Sequence, residues 1–169
     1  DRIQDSGCSL VITSDGAFRG AKEIPIKAVV DEAVVDCPTI RNVITLRRTG
    51  AAATMTNGVD HWWDELIQGK PAHCDPQPMQ SEDMLFILYT SGSTGQPKGL
   101  VHTTAGYALY AAHTIQTTFD LQPNDIFACM ADCGWITGHT YVVYGPLLSG
   151  STTFVFESTP LYPDAGRYW

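Results

Sequence analysis

Short runs of β-branched and apolar residues alternate along this chain with segments of helical period, and that alternation limits the fold more than any other feature. Runs at 9–13, 42–46, 84–90, 126–130 and 152–156 have the length and composition of strands. Segments 24–36, 105–118 and 137–148 have the length and period of helices. Strands separated by helices return to their sheet in parallel, so the expected class is α/β, with layered, largely parallel sheets flanked by helices. In the first helix Ile26, Val29, Val30, Ala33 and Val34 share one stripe expected to pack inward, with Pro25 near the first turn and Cys37-Pro38 at the end. Gly145-Pro146 is expected to end or kink the third helix early.

Of 169 residues, 44% are hydrophobic and 17% charged, a composition that supports a buried core and excludes disorder along the whole chain. Eighteen acidic residues against ten basic ones give a net charge of -8, which argues against a nucleic-acid surface or a face for anionic lipid. An anionic ligand then needs a local cluster of donors. No apolar run approaches the roughly 18 residues that would suggest a membrane span, and no charged-then-apolar leader opens the chain. The chain starts at Asp1 and stops at Trp169 without a polar tail, so it is expected to be an internal piece of a longer protein.

The five cysteines, Cys8, Cys37, Cys74, Cys129 and Cys133, are odd in number and scattered. That excludes a disulfide framework, and Cys129 and Cys133 lack a matching Cys/His pair for zinc. Reduced, mostly buried thiols in a reducing compartment are expected. The stretch 69–81 holds three prolines and no apolar period, which marks a surface connection between two blocks. Segment 47–58 reads as a second loop, tolerant of insertion. The aromatic run His61-Trp62-Trp63 has acidic neighbours, so packing is expected of it and not a nucleic-acid platform.

The densest chemistry follows the strand at 84–90. Thr90-Ser91-Gly92-Ser93-Thr94-Gly95-Gln96-Pro97-Lys98-Gly99 runs from that strand into apolar Leu100-Val101. Glycines let successive N–H groups turn toward one point, hydroxyls add donors, and Lys98 adds a mobile positive charge suited to a polyphosphate. The spacing is not that of a Walker A loop, because Lys98 lies between Pro97 and Gly99.

This ten-residue string resembles the phosphate-binding motif of the adenylate-forming superfamily, with Gln96 at a position where that family often has Lys. Val101-His102-Thr103-Thr104-Ala105-Gly106-Tyr107, the run Ala131 to Tyr141 containing Trp135-Ile136-Thr137, Tyr144-Gly145-Pro146-Leu147 and Phe156-Glu157-Ser158-Thr159-Pro160 resemble its acetyl-CoA synthetase branch. Val30-Asp31-Glu32-Ala33 and Cys37-Pro38-Thr39 do the same upstream, so the resemblance covers nearly the whole chain.

What the resemblance implies is an acid–thiol ligase. A carboxylate attacks the α-phosphorus of ATP and releases pyrophosphate; the thiol of coenzyme A then attacks the acyl-adenylate and releases AMP. Neither step needs a protein nucleophile, so catalysis rests on positioning and charge stabilisation, with Mg2+ bridging phosphate oxygens. On the family pattern Thr90, Ser91, Gly92, Ser93, Thr94, Gly95 and Lys98 bind the β- and γ-phosphates and the leaving pyrophosphate, Lys98 as an electrostatic helper. Trp135, Ile136 and Thr137 line the acyl pocket, and Thr137 also lies by coenzyme A. Leu161 occupies a position associated with coenzyme A where the family often has Asn, and a leucine side chain can neither donate nor accept. Ala165 stands where many relatives carry Trp, a variant that resembles the mitochondrial animal members.

His102 and His139 invite a general-base role, but a carboxylate substrate is already ionised, so hydrogen bonding that shapes the site is expected of them. By the same resemblance residues 1–169 correspond to part of the large N-terminal AMP-binding domain. The catalytic lysine and C-terminal domain lie downstream, so the piece alone is expected to be inactive. Acetate is the expected substrate, with ATP, Mg2+ and coenzyme A, no nucleic acid and no membrane span, in the mitochondrial matrix or the cytoplasm. A propionyl- or medium-chain synthetase is the main alternative, and a non-catalytic nucleotide-binding module a more distant one.

Overall fold

Residues 70–80 contain no helix or strand and are exposed throughout, as befits a segment where Pro71, Pro76 and Pro78 each lack a backbone N–H. The chain divides there. The computed structural model describes residues 1–91 and 95–168; Asp1–Asp75 and the segment from Glu157 onward form one compact unit, and Pro76–Phe156 a second. The proline-rich stretch is therefore the connection its composition predicts. Among the described residues no helix is long and apolar enough to cross a membrane.

The first unit contains α1 (Arg2–Ser6), β1 (Leu10–Ser14), β2 (Ala17–Arg19), β3 (Lys22–Ile24), α2 (Ile26–Val34), β4 (Asn42–Leu46), β5 (Asp60–Trp62) and α3 (Trp63–Ile67), with a 3-10 turn at Ala165–Tyr168. Strands β1, β4 and β5 form a parallel sheet in that order, with Val11 opposite Val43 and Val43 opposite Asp60. Val43 and Thr45 face inward from β4 and are fully covered, two residues apart as strand alternation requires. Strands β2 and β3 pair as an antiparallel hairpin, which the sequence reading did not contain.

Two expectations are corrected in this unit. Of the apolar stripe on α2, Ile26, Val30 and Val34 are half-buried, but Val29 is 56% exposed and Ala33 is exposed, while Lys27 is completely buried. Its ammonium pairs with Asp31 one turn later, donates to the Thr54 carbonyl at 2.9 Å and lies 3.2 Å from the Asp60 carboxylate. A buried charge is stable only with such partners, and here they turn the helix by setting which face points in. Segment 47–58 is likewise no free loop. The buried Asp15 carboxylate accepts the N–H groups of Gly16, Arg48, Thr49 and Gly50 at 2.7, 2.8, 3.0 and 2.9 Å, so an insertion near 48–50 would break a closed set of hydrogen bonds. Burial pushes this carboxyl up, and the four donors together outweigh it and hold it below the ordinary aspartate value.

Trp62 is a packing surface, as its acidic neighbours predict: the Arg47 guanidinium lies 4.0 Å over its ring and pairs with Asp64 and Glu65. The cysteines are all free, but they are not mostly buried. Only Cys37 is covered, because Cys8, Cys74 and Cys133 fall in connecting segments and are exposed, with Cys129 between the two.

The second unit contains β6 (Met84–Thr90), β7 (Lys98–Thr103), α4 (Thr104–Phe119), β8 (Ile126–Ala128), a helical run from Ile136, and β9 (Thr152–Phe154). Strands β6 and β7 form an antiparallel hairpin, and β8 and β9 a parallel pair. Parallel pairing thus holds for one sheet in each unit, and the two hairpins add antiparallel pieces to an α/β fold. Helix α4 buries Tyr107, Ala111 and Ile115, four residues apart on one face, and packs on the run that ends at Leu148.

That run is continuous and changes register. Helix α5 (Ile136–Gly138) passes into a π-helical segment, His139–Tyr144, and then into α6 (Gly145–Leu148). The expected break at Gly145-Pro146 takes this form instead. A proline has no N–H to give the preceding turn and its ring crowds that turn's carbonyl, and the wider π turn just before Pro146 accommodates both.

Candidate functional site

Strand β6 delivers the chain to Thr90, which is exposed and stands opposite Lys98, the equally exposed first residue of β7. The glycine–hydroxyl string is therefore the connection of a hairpin whose ends are held in register by sheet hydrogen bonds. Ser91 is exposed beside Thr90. Gly95 stands at φ 79°, a turn conformation that suits glycine, with no described residue near the position of an added Cβ. Gly92, Ser93 and Thr94 lie outside the described residues.

At the other end of the hairpin five rings meet. Phe86 on β6 lies 4.7 Å from His102 on β7, 4.8 Å from Tyr107 on α4, 4.9 Å from His139 and 6.1 Å from Tyr144 of the π segment, measured between ring centres. Tyr107 also meets His102 at 5.2 Å and Tyr144 edge-on at 5.4 Å. Offset and edge-on ring pairs of this kind contribute about 0.5–1.5 kcal/mol each beyond their buried area. The cluster fastens the hairpin to α4 and to the helical run. Thr90 lies four residues beyond Phe86 along the strand, about 13 Å at strand rise.

The helical run begins with the acyl-pocket candidates. Segment 129–135 turns on Asp132, whose carboxylate accepts the Gly134 N–H at 2.7 Å and whose carbonyl accepts the Trp135 N–H at 3.1 Å. Gly138 packs so closely beneath this turn that an added Cβ would lie 2.0 Å from the Asp132 carbonyl oxygen. Trp135 is 72% exposed and Ile136 39%, and Thr137 is exposed, so all three are available to a ligand.

Two carbonyls of that turn are held by side chains from the next. The Trp135 carbonyl accepts the His139 backbone N–H and its ring Nδ1–H, both at 2.9 Å. The Ile136 carbonyl accepts the Thr140 hydroxyl at 2.9 Å, and Thr140 Oγ1 lies 2.7 Å from the Tyr107 hydroxyl. Burial raises the Tyr107 phenol above its ordinary pKa, with the Thr140 hydrogen bond acting the other way. His139 thus hydrogen-bonds within the segment, and His102 meets Phe86 and Tyr107 by ring packing.

The phosphate and acyl candidates thus fall in the second unit, joined through the ring cluster. Leu161 belongs to the first, where it is 65% exposed in a turn closed by the Tyr162 N–H on the Thr159 carbonyl. Arg167 donates to the Tyr162 carbonyl at 2.8 Å in the same turn. The supporting roles of Phe86, Tyr107 and Thr140, which lie within the motifs and the strand read from the sequence, were not legible there. Only the Tyr107–Ala111–Ile115 spacing signalled that Tyr107 faces inward.

A family model described as AMP-binding enzyme matches residues 1–169. The chain is 57% identical over 169 residues to an acetyl-coenzyme A synthetase of Coprinopsis cinerea, covering 100% of this chain and 26% of that protein. It is 52% identical over 168 residues to an acetyl-coenzyme A synthetase of Nostoc linckia, covering 99% of this chain and 50% of that protein. Among solved structures it is similar to acetoacetyl-CoA synthetase from Streptomyces lividans, with a TM-score of 0.83, 29% identity, and coverage of 96% of this chain and 24% of that one. The chain spans between about a quarter and a half of the length of these relatives.

Proposed function

From the premise that this chain belongs to the AMP-binding enzyme family over residues 1–169, we propose that the protein carrying it is an AMP-forming acetate–CoA ligase. Acetate oxygen attacks the α-phosphorus of ATP and displaces pyrophosphate, leaving acetyl-adenylate. The sulfur of coenzyme A then attacks the acyl carbon, the bond to AMP breaks, and the thiol proton passes to solvent or to the leaving phosphate.

The observation that carries this proposal is the hairpin tip, where Thr90 and Lys98 are opposite, exposed and linked by the glycine–hydroxyl string. Thr90, Ser91, Gly92, Ser93, Thr94, Gly95 and Lys98 hold the β- and γ-phosphates and the departing pyrophosphate. Backbone N–H groups and hydroxyls donate, and the Lys98 ammonium offsets charge that builds on the leaving oxygens. Mg2+ would enter with ATP as part of the nucleotide substrate and would supply charge neutralisation at the phosphates that Thr90, Ser91 and Lys98 meet.

Trp135 and Ile136 form the apolar wall against the acetate methyl, and Thr137 lies where the acyl group meets coenzyme A. Leu161, without a polar side chain, contributes apolar contact at most to coenzyme A. The substrates are small molecules, and the enzyme works inside the cell, in the mitochondrial matrix or the cytoplasm. The match to acetyl-coenzyme A synthetases at 57% and 52% identity supports acetate over longer acids.

Lys98→Ala in the full-length enzyme is expected to lower acetate-dependent ATP–pyrophosphate exchange by about 1–3 kcal/mol in transition-state free energy. Exchange at the wild-type rate in a folded variant would remove the phosphate role. A carboxylate panel on the same protein tests the acyl assignment, and a preference for propionate or longer acids would replace acetate.

A further inference from the structure

Ile136 and Trp135 have little packing of their own to fix them, being 39% and 72% exposed. The turn that carries them is held by the Asp132 and His139 hydrogen bonds and, beneath Ile136, by a chain of hydroxyls. Thr140 has a single hydroxyl proton, and it is donated to the Ile136 carbonyl, which can only accept. The 2.7 Å contact between Tyr107 and Thr140 must then run from the Tyr107 O–H to Thr140 Oγ1. The direction is unambiguous from Tyr107 through Thr140 to the Ile136 carbonyl. Its inner end is anchored, since Tyr107 is 6% exposed, Thr140 4%, and the Tyr107 ring packs on Phe86, His102 and Tyr144. Its outer end is the backbone of the residue proposed to face the acyl chain.

We propose that Tyr107 and Thr140 are positioning residues that fix how far Ile136 projects into the acyl pocket, and so set the length of carboxylate the enzyme accepts. This rests on the assignment of Ile136 to the acyl wall. Neither residue touches the substrate. A pocket that discriminates by close apolar contact loses selectivity when its wall is free to retreat, because the longer chain gains room while the short one loses contact.

The test uses the full-length enzyme and the ratio of kcat/KM for butyrate over that for acetate, with the KM for ATP measured alongside. Tyr107→Phe keeps the ring and removes the first hydroxyl; Thr140→Val keeps the shape and removes the second. Loss of one hydrogen bond in the relay is expected to raise the ratio about three- to tenfold in each variant, with the acetate KM rising and the ATP KM nearly unchanged. Thr140→Ser, which retains the hydroxyl, is expected to return the ratio close to wild type. Because the two variants lesion the relay at separate points, a folding failure in one leaves the other informative.

Ile136→Gly separates the two levels of inference. If it raises the ratio while Tyr107→Phe and Thr140→Val leave it unchanged, the positioning role is overturned and the pocket assignment stands. If Ile136→Gly also leaves the ratio unchanged, the pocket assignment fails and the positioning role with it.

Discussion

In the first unit the buried Asp15 and Lys27 side chains bind backbone groups of the chain's own loops. In the second, the buried hydroxyls of Tyr107 and Thr140 lead out to a residue at the surface. Asp15 closes residues 48–50, and Lys27 binds the Thr54 carbonyl beside Asp31 and Asp60, so both networks tie segments of the fold to one another. The Tyr107 relay finishes on the Ile136 carbonyl, next to the exposed Trp135. A buried polar network is thus informative through its terminus. One that closes on itself secures a fold, whereas one that surfaces beneath exposed residues supports whatever those residues contact.

The largest effect that separates these cases is expected from Lys27→Met. It leaves Asp31 and Asp60 without their buried cation and should destabilise by about 3–5 kcal/mol, read as a lower urea midpoint of the full-length protein. The butyrate-to-acetate ratio of the fraction that remains folded should not move. A changed ratio would break the distinction between the two networks.

Gly138→Ala is the complementary lesion. The Asp132 turn has to shift to admit the methyl group, at a cost of about 1–3 kcal/mol, and the acyl segment above it shifts too. The acetate KM should rise about tenfold, equivalent to ~1.4 kcal/mol, while the KM for ATP changes little. Equal changes in both constants would mean that the acyl segment and the hairpin tip move as one.

The smallest effect concerns pH. Because the folded Asp15 carboxyl lies below its unfolded value, its contribution to stability is fully present above the unfolded pKa of about 4 and is lost as pH falls through the folded one. The gap in melting temperature between wild type and Asp15→Asn should therefore narrow on acidification from neutral pH to below about 4. A gap that stays constant would show that the carboxylate charge adds nothing to the four N–H contacts.

Strands β4 and β6 occupy the spans expected of them, Asn42–Leu46 and Met84–Thr90, because each combines β-branched or aromatic residues with clear stops. The three-residue strands β2 and β3 lack the length to show a period. Lys27 was invisible for a different reason: a lysine in a helix reads as solvent-facing until Asp60 and Thr54, far along the chain, supply its partners. The candidate site divides in the same way. The phosphate string and Trp135-Ile136-Thr137 were legible as contiguous motifs, whereas Phe86, Tyr107 and Thr140 come from three separate segments and acquire meaning only when the ring cluster brings them together. Strand β7 was not legible because Lys98, Gly99, His102 and Thr103 leave only the adjacent Leu100 and Val101 apolar, so no alternation marks it and pairing with β6 supplies the order.

The π segment gives the second unit a property of phase. Each residue of an α-helix advances the side-chain direction by about 100°, and a π turn holds one residue more than an α turn in the same stretch. Deleting any one residue between His139 and Tyr144 would let that stretch wind as ordinary helix. The two changes offset, so Trp135, Ile136 and Thr137 would keep nearly the same direction relative to Gly145–Leu148. What the extra residue sets is the stretch itself: which of its side chains face inward, Thr140 and Val142 here, depends on a residue count as well as on residue identity.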